Sequence, residues 1–256
     1  MRGLGIESST SDGVLTITLN RPDRMNILGV ETRKHILEAL KAHESDQNVR
    51  CVVVSSSGPV FSAGADLNYL ASLDKKGAEA YAKFVRSFLE YLEGYPKPTI
   101  GLVGGLAVGG GLELLMTLDM VIATPSARFG QTELNVGLIP GGGGTQRLPR
   151  LVGLRKAKEL VFTGDLISAQ EAYELGLVNM VVGEGQLESE SMLVCKKIQS
   201  KSPASLRMAK EAMNAGLSMS LEDALRLESR LYSRALVTPE AKRRIRSFLQ
   251  RRDQKK

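Results

Sequence analysis

Apolar residues recur along this chain with two different periods. Val14–Leu19 alternates branched and polar side chains and then meets Asn20-Arg21-Pro22-Asp23, which predicts a strand ending in a turn. Over Val30–His43, Ile36, Leu37, Ala39 and Leu40 return on one helical face, with His35 and His43 expected at its surface or boundary. Cys51-Val52-Val53-Val54 is continuously apolar and too short for a helix, the pattern of a strand buried on both faces of a parallel sheet. Residues 74–92 carry Tyr81, Phe84, Val85, Phe88 and Leu92 at helical spacing, and Pro96 and Pro98 end the run. Thr99–Val103 and 118–123 predict two more buried strands. Strand and helix alternating in this way predict an α/β chain with a mostly parallel sheet covered by helices.

The pattern changes after residue 169. Ser168-Ala169-Gln170-Glu171 is a capping box, and Ser220-Leu221-Glu222-Asp223 is the same device with Asp in place of Glu. Behind them, Leu206/Ala209/Met213 and Leu221/Ala224/Leu225/Glu228/Leu231/Tyr232 form helical stripes. A mixed α/β core over residues 1–190 is therefore expected, followed by an all-helical region over 191–256 that closes over its own core or packs on another subunit.

Composition narrows the function classes. Of 256 residues, 43% are apolar, 24% charged and 5% aromatic, as in an ordinary globular enzyme. Cys51 and Cys195 are far apart in sequence, which predicts neither a disulfide framework nor a thiolate metal site, and with two histidines no metal is expected. The start of the chain lacks the pattern of a targeting segment, and the longest apolar stretch, 99–112, is too short for a bilayer span. A cytoplasmic protein without membrane partners is expected. The net charge of +6 resides in residues 239–256, where eight Lys/Arg face Glu240 and Asp253. With the remainder neutral, a globally basic nucleic-acid domain is not expected, while the tail is suited to an anion contact or to complementing a helix dipole.

Eleven of the 26 glycines fall in two windows, 101–111 and 137–144. Such clusters mark tight turns or close backbone approaches, including loops whose N–H groups point at an anion. Neither window is a nucleotide-binding motif, and no Gly-x-Ser-x-Gly elbow with a base beside it occurs, which sets serine hydrolase chemistry aside. Two acids border these windows. Glu113 sits between three glycines and Leu114-Leu115-Met116, and Glu133 lies in a segment short of charge before Gly137-Leu138-Ile139-Pro140. Burial at such places raises a carboxyl pKa toward the working pH, which suits general acid/base work.

At these residues the chain resembles the enoyl-CoA hydratase (crotonase) family. Asn20-Arg21-Pro22 with Asn26 is similar to its first signature, and Phe61-Ser62-Ala63-Gly64-Ala65-Asp66-Leu67 to the loop that grips coenzyme A. Ala107-Val108-Gly109-Gly110-Gly111-Leu112-Glu113-Leu114 and Phe129-Gly130-Gln131-Thr132-Glu133 resemble its two catalytic segments. Segments 137–148 and 160–164 follow in family order, so the likeness runs from about Val14 to Ser233.

The resemblance implies a crotonase-like spiral of ββα units, with a C-terminal helical region used in forming a homotrimer, or a hexamer as a dimer of trimers. It implies an acyl-CoA thioester substrate whose carbonyl oxygen lies between the backbone N–H groups of Ala65 and Gly110, with no cofactor beyond the coenzyme A of the substrate. Binding positions carried over for the CoA ester are Arg24, Ala63, Ala65, Asp66, Leu67 and Gly110, Asp66 bracing its loop. Glu113 and Glu133 match both acids of the hydratases, the first activating water for attack at the β carbon and the second delivering a proton to the α carbon. Hydration of a trans-2-enoyl-CoA is the implied reaction. Alternatives within the family are an enoyl-CoA isomerase, or a methylglutaconyl-CoA hydratase that binds RNA through the basic tail. Two departures stand out. Gly104-Gly105-Leu106 replaces Asn-Gly-Tyr/Phe, which predicts a looser turn or a reshaped pocket wall, and the basic C-terminus lacks the usual Glu-Gly, which directs it toward CoA phosphates.

Overall fold

A computed structural model describes residues 5–253. The strands are β1 (Ile6–Ser11), β2 (Val14–Leu19), β3 (Cys51–Ser56), β4 (Val60–Ser62), β5 (Thr99–Val103), β6 (Leu106–Val108), β7 (Met120–Ala123), β8 (Arg128–Gly130), β9 (Ile167–Ser168) and β10 (Met180–Val181). They form a six-stranded sheet in the order β1-β2-β3-β5-β7-β10 and a four-stranded sheet in the order β4-β6-β8-β9. The β1–β2 and β8–β9 pairs are antiparallel and the rest parallel.

The helices are α1 (Val30–His43), α2 (Leu67–Ala71), α3 (Lys75–Glu93), α4 (Gly110–Leu115), α5 (Gly144–Val152), α6 (Leu154–Thr163), α7 (Ala169–Glu174), α8 (Leu187–Gln199), α9 (Pro203–Gly216), α10 (Leu221–Leu236) and α11 (Pro239–Asp253). Successive strands alternate between the sheets, β3 then β4, β5 then β6, β7 then β8, with helix following each pair. That repetition is the ββα spiral expected from the resemblance.

The apolar periods explain the long elements. Residues 51–54 of β3 are fully buried, as a parallel strand between neighbours on both sides requires. On α3, Val85, Phe88, Leu89 and Leu92 turn to the core, and Asp74 caps the helix by accepting the Gly77 N–H at 2.7 Å. The strand expected over 118–123 starts only at Met120, because the Asp119 carboxylate makes a corner, accepting from the Thr99 N–H at 2.8 Å and the Thr99 hydroxyl at 3.0 Å. Ser168 caps α7 by accepting the Glu171 N–H at 3.1 Å, while the Glu171 carboxylate pairs with Lys156 at 2.8 Å. The two cysteines, far apart in sequence, meet in the fold. Both are buried, and the Cys195 thiol on α8 hydrogen-bonds Cys51 at the start of β3, because helix and strand meet where the sequence does not show it.

The chain divides into two compact units, Met1–Cys195 and Lys196–Lys256. In the second, Ser202 ahead of α9 donates to the Glu240 carboxylate at 2.7 Å, and Arg244 donates to the Ser200 carbonyl at 2.7 Å. The apolar stripes of α9 and α10 form helices as expected, yet Met213, Leu221, Leu225 and Tyr232 are exposed and only Leu231 of the α10 stripe is buried. The basic tail lies on α11, with Lys255 and Lys256 outside the described residues. No helix among the described residues is long and apolar enough to cross a membrane.

Candidate active site

The site is assembled from backbone turns before any side chain enters it. Asn26 is buried, and its side chain accepts the Arg21 N–H at 2.7 Å while donating to the carbonyls of Ser57 and Val60 at 2.9 and 2.7 Å. The same segment holds the loop after β4: the Ala63 N–H donates to Met25, and the Leu28 N–H donates to Gly64. Gly64 has φ +86°, and a Cβ there would stand 2.8 Å from the Gly110 nitrogen, so only glycine lets this loop lie against the start of α4. First-turn N–H groups have no acceptor within their own helix, which leaves that of Gly110 to donate outward. The Ala65 nitrogen lies 3.6 Å from the point a Gly110 Cβ would occupy. Two N–H groups therefore neighbour one another at the mouth of α4.

Glu113 stands one turn further along α4 and is 4% exposed. Its Oε1 accepts the N–H groups of Gly142 and Gly144 at 2.7 and 2.9 Å. Glu133 opens a 3-10 turn over Glu133–Val136, half-buried, with both carboxylate oxygens receiving the Gln131 amide at 2.8 and 2.9 Å. Glu133 Oε1 is 3.3 Å from the position of a Gly109 Cβ, directly before α4. Burial pushes the Glu113 carboxyl above its ordinary range; the Gly144 and Gly142 N–H groups and the Arg33 cation draw it back, and the charge of Glu133 adds to the rise. Burial likewise raises Glu133 against the Gln131 hydrogen bond.

Ala63, Ala65, Leu67, Gly110, Glu113 and Glu133 all line one cavity of about 310 Å³. The cavity brings the neighbouring Ala65 and Gly110 backbone and the two carboxyls to one space. Arg24 and Asp66 are not among its lining residues: they border a separate groove of about 470 Å³ together with Tyr69 and Thr32. The Asp66 side chain caps α2, accepting the N–H groups of Asn68 and Tyr69 at 3.0 and 3.2 Å. The unusual Gly104-Gly105-Leu106 turn is tied down by hydrogen bonds. Ser126 Oγ donates to Gly104, the Arg128 N–H to Gly105, and the Leu106 N–H to Pro59, each at 3.2 Å.

Sequence reasoning missed Arg33 and Tyr81, which line the cavity, and gave no role of its own to Gln131, whose amide holds Glu133. Arg33 did leave a signal. It precedes Ile36 and Leu40 by one and two turns, a charged residue inside an apolar stripe.

Comparison with known proteins agrees with this architecture. Residues 9–255 match the family model described as enoyl-CoA hydratase/isomerase. A probable enoyl-CoA hydratase of Rhizobium meliloti is 39% identical over 95% of this chain and 94% of its own. A crotonyl-CoA hydratase of Syntrophomonas wolfei is 37% identical over 91% of this chain and 90% of its own. The crystal structure of an enoyl-CoA hydratase from Bacillus anthracis superposes with a TM-score of 0.92 at 36% identity, covering 96% of each chain. With turns, acids and cavity in family order and the match running through nearly the whole length, the chain belongs to the enoyl-CoA hydratase/isomerase family.

Proposed function

We propose that this protein is an enoyl-CoA hydratase, adding water across the trans-2 double bond of an enoyl-CoA to give the 3-hydroxyacyl-CoA, and reversing that reaction. The observation that carries the reading is a buried acid, Glu113, and a half-buried one, Glu133, both raised in pKa, lining one cavity with the Ala65 and Gly110 backbone. Glu113, ionised, takes a proton from water as its oxygen bonds to the β carbon. The electrons of the double bond move toward the thioester oxygen, where two N–H groups stabilise the developing enolate. Glu133, protonated, delivers its proton to the α carbon. Water is consumed, Glu113 ends protonated and Glu133 ionised until a proton returns between them for the next turnover, and no electrons are gained or lost, so the step needs no redox group. The names of the relatives support a short acyl chain: crotonyl-CoA hydratase in Syntrophomonas wolfei and short-chain-enoyl-CoA hydratase in Clostridium acetobutylicum.

The exposed apolar residues of α9 and α10, with Leu221 76% exposed and Leu217 in the turn between the two helices 73% exposed, support assembly of this second unit with further copies of the chain, as a trimer or a dimer of trimers. Crotonyl-CoA incubated with the protein in ¹⁸O-labelled water tests the reaction. The expected product is 3-hydroxybutyryl-CoA carrying the label at C3. Movement of the double bond without label would make the protein an isomerase instead.

A further inference from the structure

Arg33 lies on the buried face of α1 and is 3% exposed. A guanidinium in that place loses its water and must be answered by the groups around it. Its Nη1 donates to the Leu28 carbonyl and to the Tyr81 hydroxyl, the latter at 3.2 Å, and its Cζ stands 5.8 Å from the centre of the Tyr81 ring. These contacts occupy one edge of the fork. Nη2, on the other edge, lies 3.5 Å from the point a Gly110 Cβ would occupy, the point that is 3.6 Å from the Ala65 nitrogen. Arg33 and Tyr81 both line the cavity that holds Glu113 and Glu133. The cation is therefore held by Leu28 and Tyr81, with its second nitrogen turned to the start of α4 beside Gly110, on the side where the Ala65 nitrogen also lies.

Resting on the hydratase reading, we propose that Arg33 is a third, charged member of the oxyanion site, stabilising the thioester oxygen as addition of water turns it into an enolate. Shielded from water as Arg33 is, a fixed cation acts on developing charge far more than it would in solvent, and it spends nothing on reorientation. Arginine suits the position because it keeps its proton where a lysine is readily neutralised by burial. The ground-state carbonyl carries little charge, so the benefit falls on the transition state and belongs in kcat. The same cation faces Glu113 and favours its ionised form, the form that activates water. Placement at the N–H pair, the carbonyl end of the cavity, favours this role over recognition of a second carboxylate further along an acyl chain.

The test compares Arg33→Met, Arg33→Lys and Tyr81→Phe in the full chain, with crotonyl-CoA kinetics and with binding of two substrate-sized esters. Butyryl-CoA presents a neutral carbonyl oxygen, and acetoacetyl-CoA enolises and presents a charged one. Arg33→Met should lower kcat on the order of 10- to 100-fold while KM and the butyryl-CoA Kd stay within about threefold. Acetoacetyl-CoA should weaken by the same factor as kcat, and the acid limb of the rate profile should move to higher pH. Arg33→Lys should recover part of the loss, and Tyr81→Phe should show a smaller loss of the same kind. An unchanged kcat, equal weakening of the two esters, or a defect confined to an enoyl-CoA bearing a second carboxylate would each overturn the proposal. A wild-type protein that does not hydrate crotonyl-CoA would fail the hydratase reading, while the comparison of charged and neutral esters would still report on Arg33.

Discussion

The Gly142 N–H donates to Glu113 Oε1 at 2.7 Å, and Glu113 Oε2 occupies the space that a side chain on Gly142 would need. The acid and the turn that orients it are thus fitted to one another across 29 positions of sequence. Gly142→Ala is expected to displace the carboxylate and to press on Leu89, whose Cδ1 would be 2.7 Å from the new methyl. Overpacking of this kind costs about 1–3 kcal/mol. Hydration should fall with it, and denaturant unfolding beside the rate separates the two effects. Full activity in a stable Gly142→Ala protein would mean that Glu113 does not need this turn.

Glu113→Gln and Glu133→Gln each keep the size of the side chain and remove the proton exchange. Each is expected to retain the fold and CoA-ester binding and to lose about 100-fold or more in kcat, the scale of general acid/base catalysis. Their combined loss should be less than the product of the two, since in the proposed mechanism both acids act on one water and one double bond. Unchanged turnover in either variant would remove that residue from the mechanism.

Much of this arrangement is legible in the sequence because long elements and glycine turns leave local traces. The β3 run, the α3 stripe and the placing of Glu113 beside three glycines follow from period and composition. β1 left no trace, since after Ile6 its residues are polar and exposed and its pairing is with the hairpin partner β2. The three-residue strands β4, β6 and β8 are too short to show a period at all. Non-local meetings were hidden as well. Cys51 meets Cys195, and Arg33 reaches the turn at Gly110, because the spiral returns distant segments to one place. The exposed stripes of α9 and α10 show the opposite limit, where apolar period states that a face is buried without stating by what.

Asn26 ties three backbone groups from separate turns, and it does so with φ +50°, a conformation that asparagine tolerates better than most residues. Asn26→Ala leaves the Arg21 N–H and the Ser57 and Val60 carbonyls without this partner. A cost of about 1–3 kcal/mol is expected for each buried group left unmet, moderated where water enters. Because the same segment holds Ala63 and Gly64, the KM for the CoA ester should rise together with the loss of stability. A normal melting temperature would show that the turns hold without it.

Leu217 and Leu221 project apolar surface from the second unit with 73% and 76% exposure. Replacing both with Glu places charges on that face and should convert the proposed trimer to monomer, read by light scattering across a range of concentrations. Retained far-ultraviolet circular dichroism would show that the helices persist. An unchanged mass would place the assembly surface elsewhere.

The raised carboxyls also link stability to pH, and the sign can be worked out. For Glu133 the folded pKa lies above the unfolded value of about 4.3 because burial penalises the charged form. Between the unfolded value and the raised folded one, the folded protein binds more protons than the unfolded chain. The stability from this group is therefore fully present below the unfolded pKa and is lost as pH rises through the folded one. Glu133→Gln stays neutral throughout and escapes that loss, and without the Glu133 charge the neighbouring Glu113 is also relieved of part of its rise. Thermal melts at constant ionic strength should show Glu133→Gln gaining on the wild type as pH rises from about 4 to about 8, with little difference at the acid end. The variant would then be the more stable and the less active protein, as expected where an acid is held against its own solvation for the sake of chemistry. A Tm difference that does not change with pH would mean that Glu133 keeps an ordinary pKa in the folded chain, and the assignment of a protonated acid at that position would fall with it.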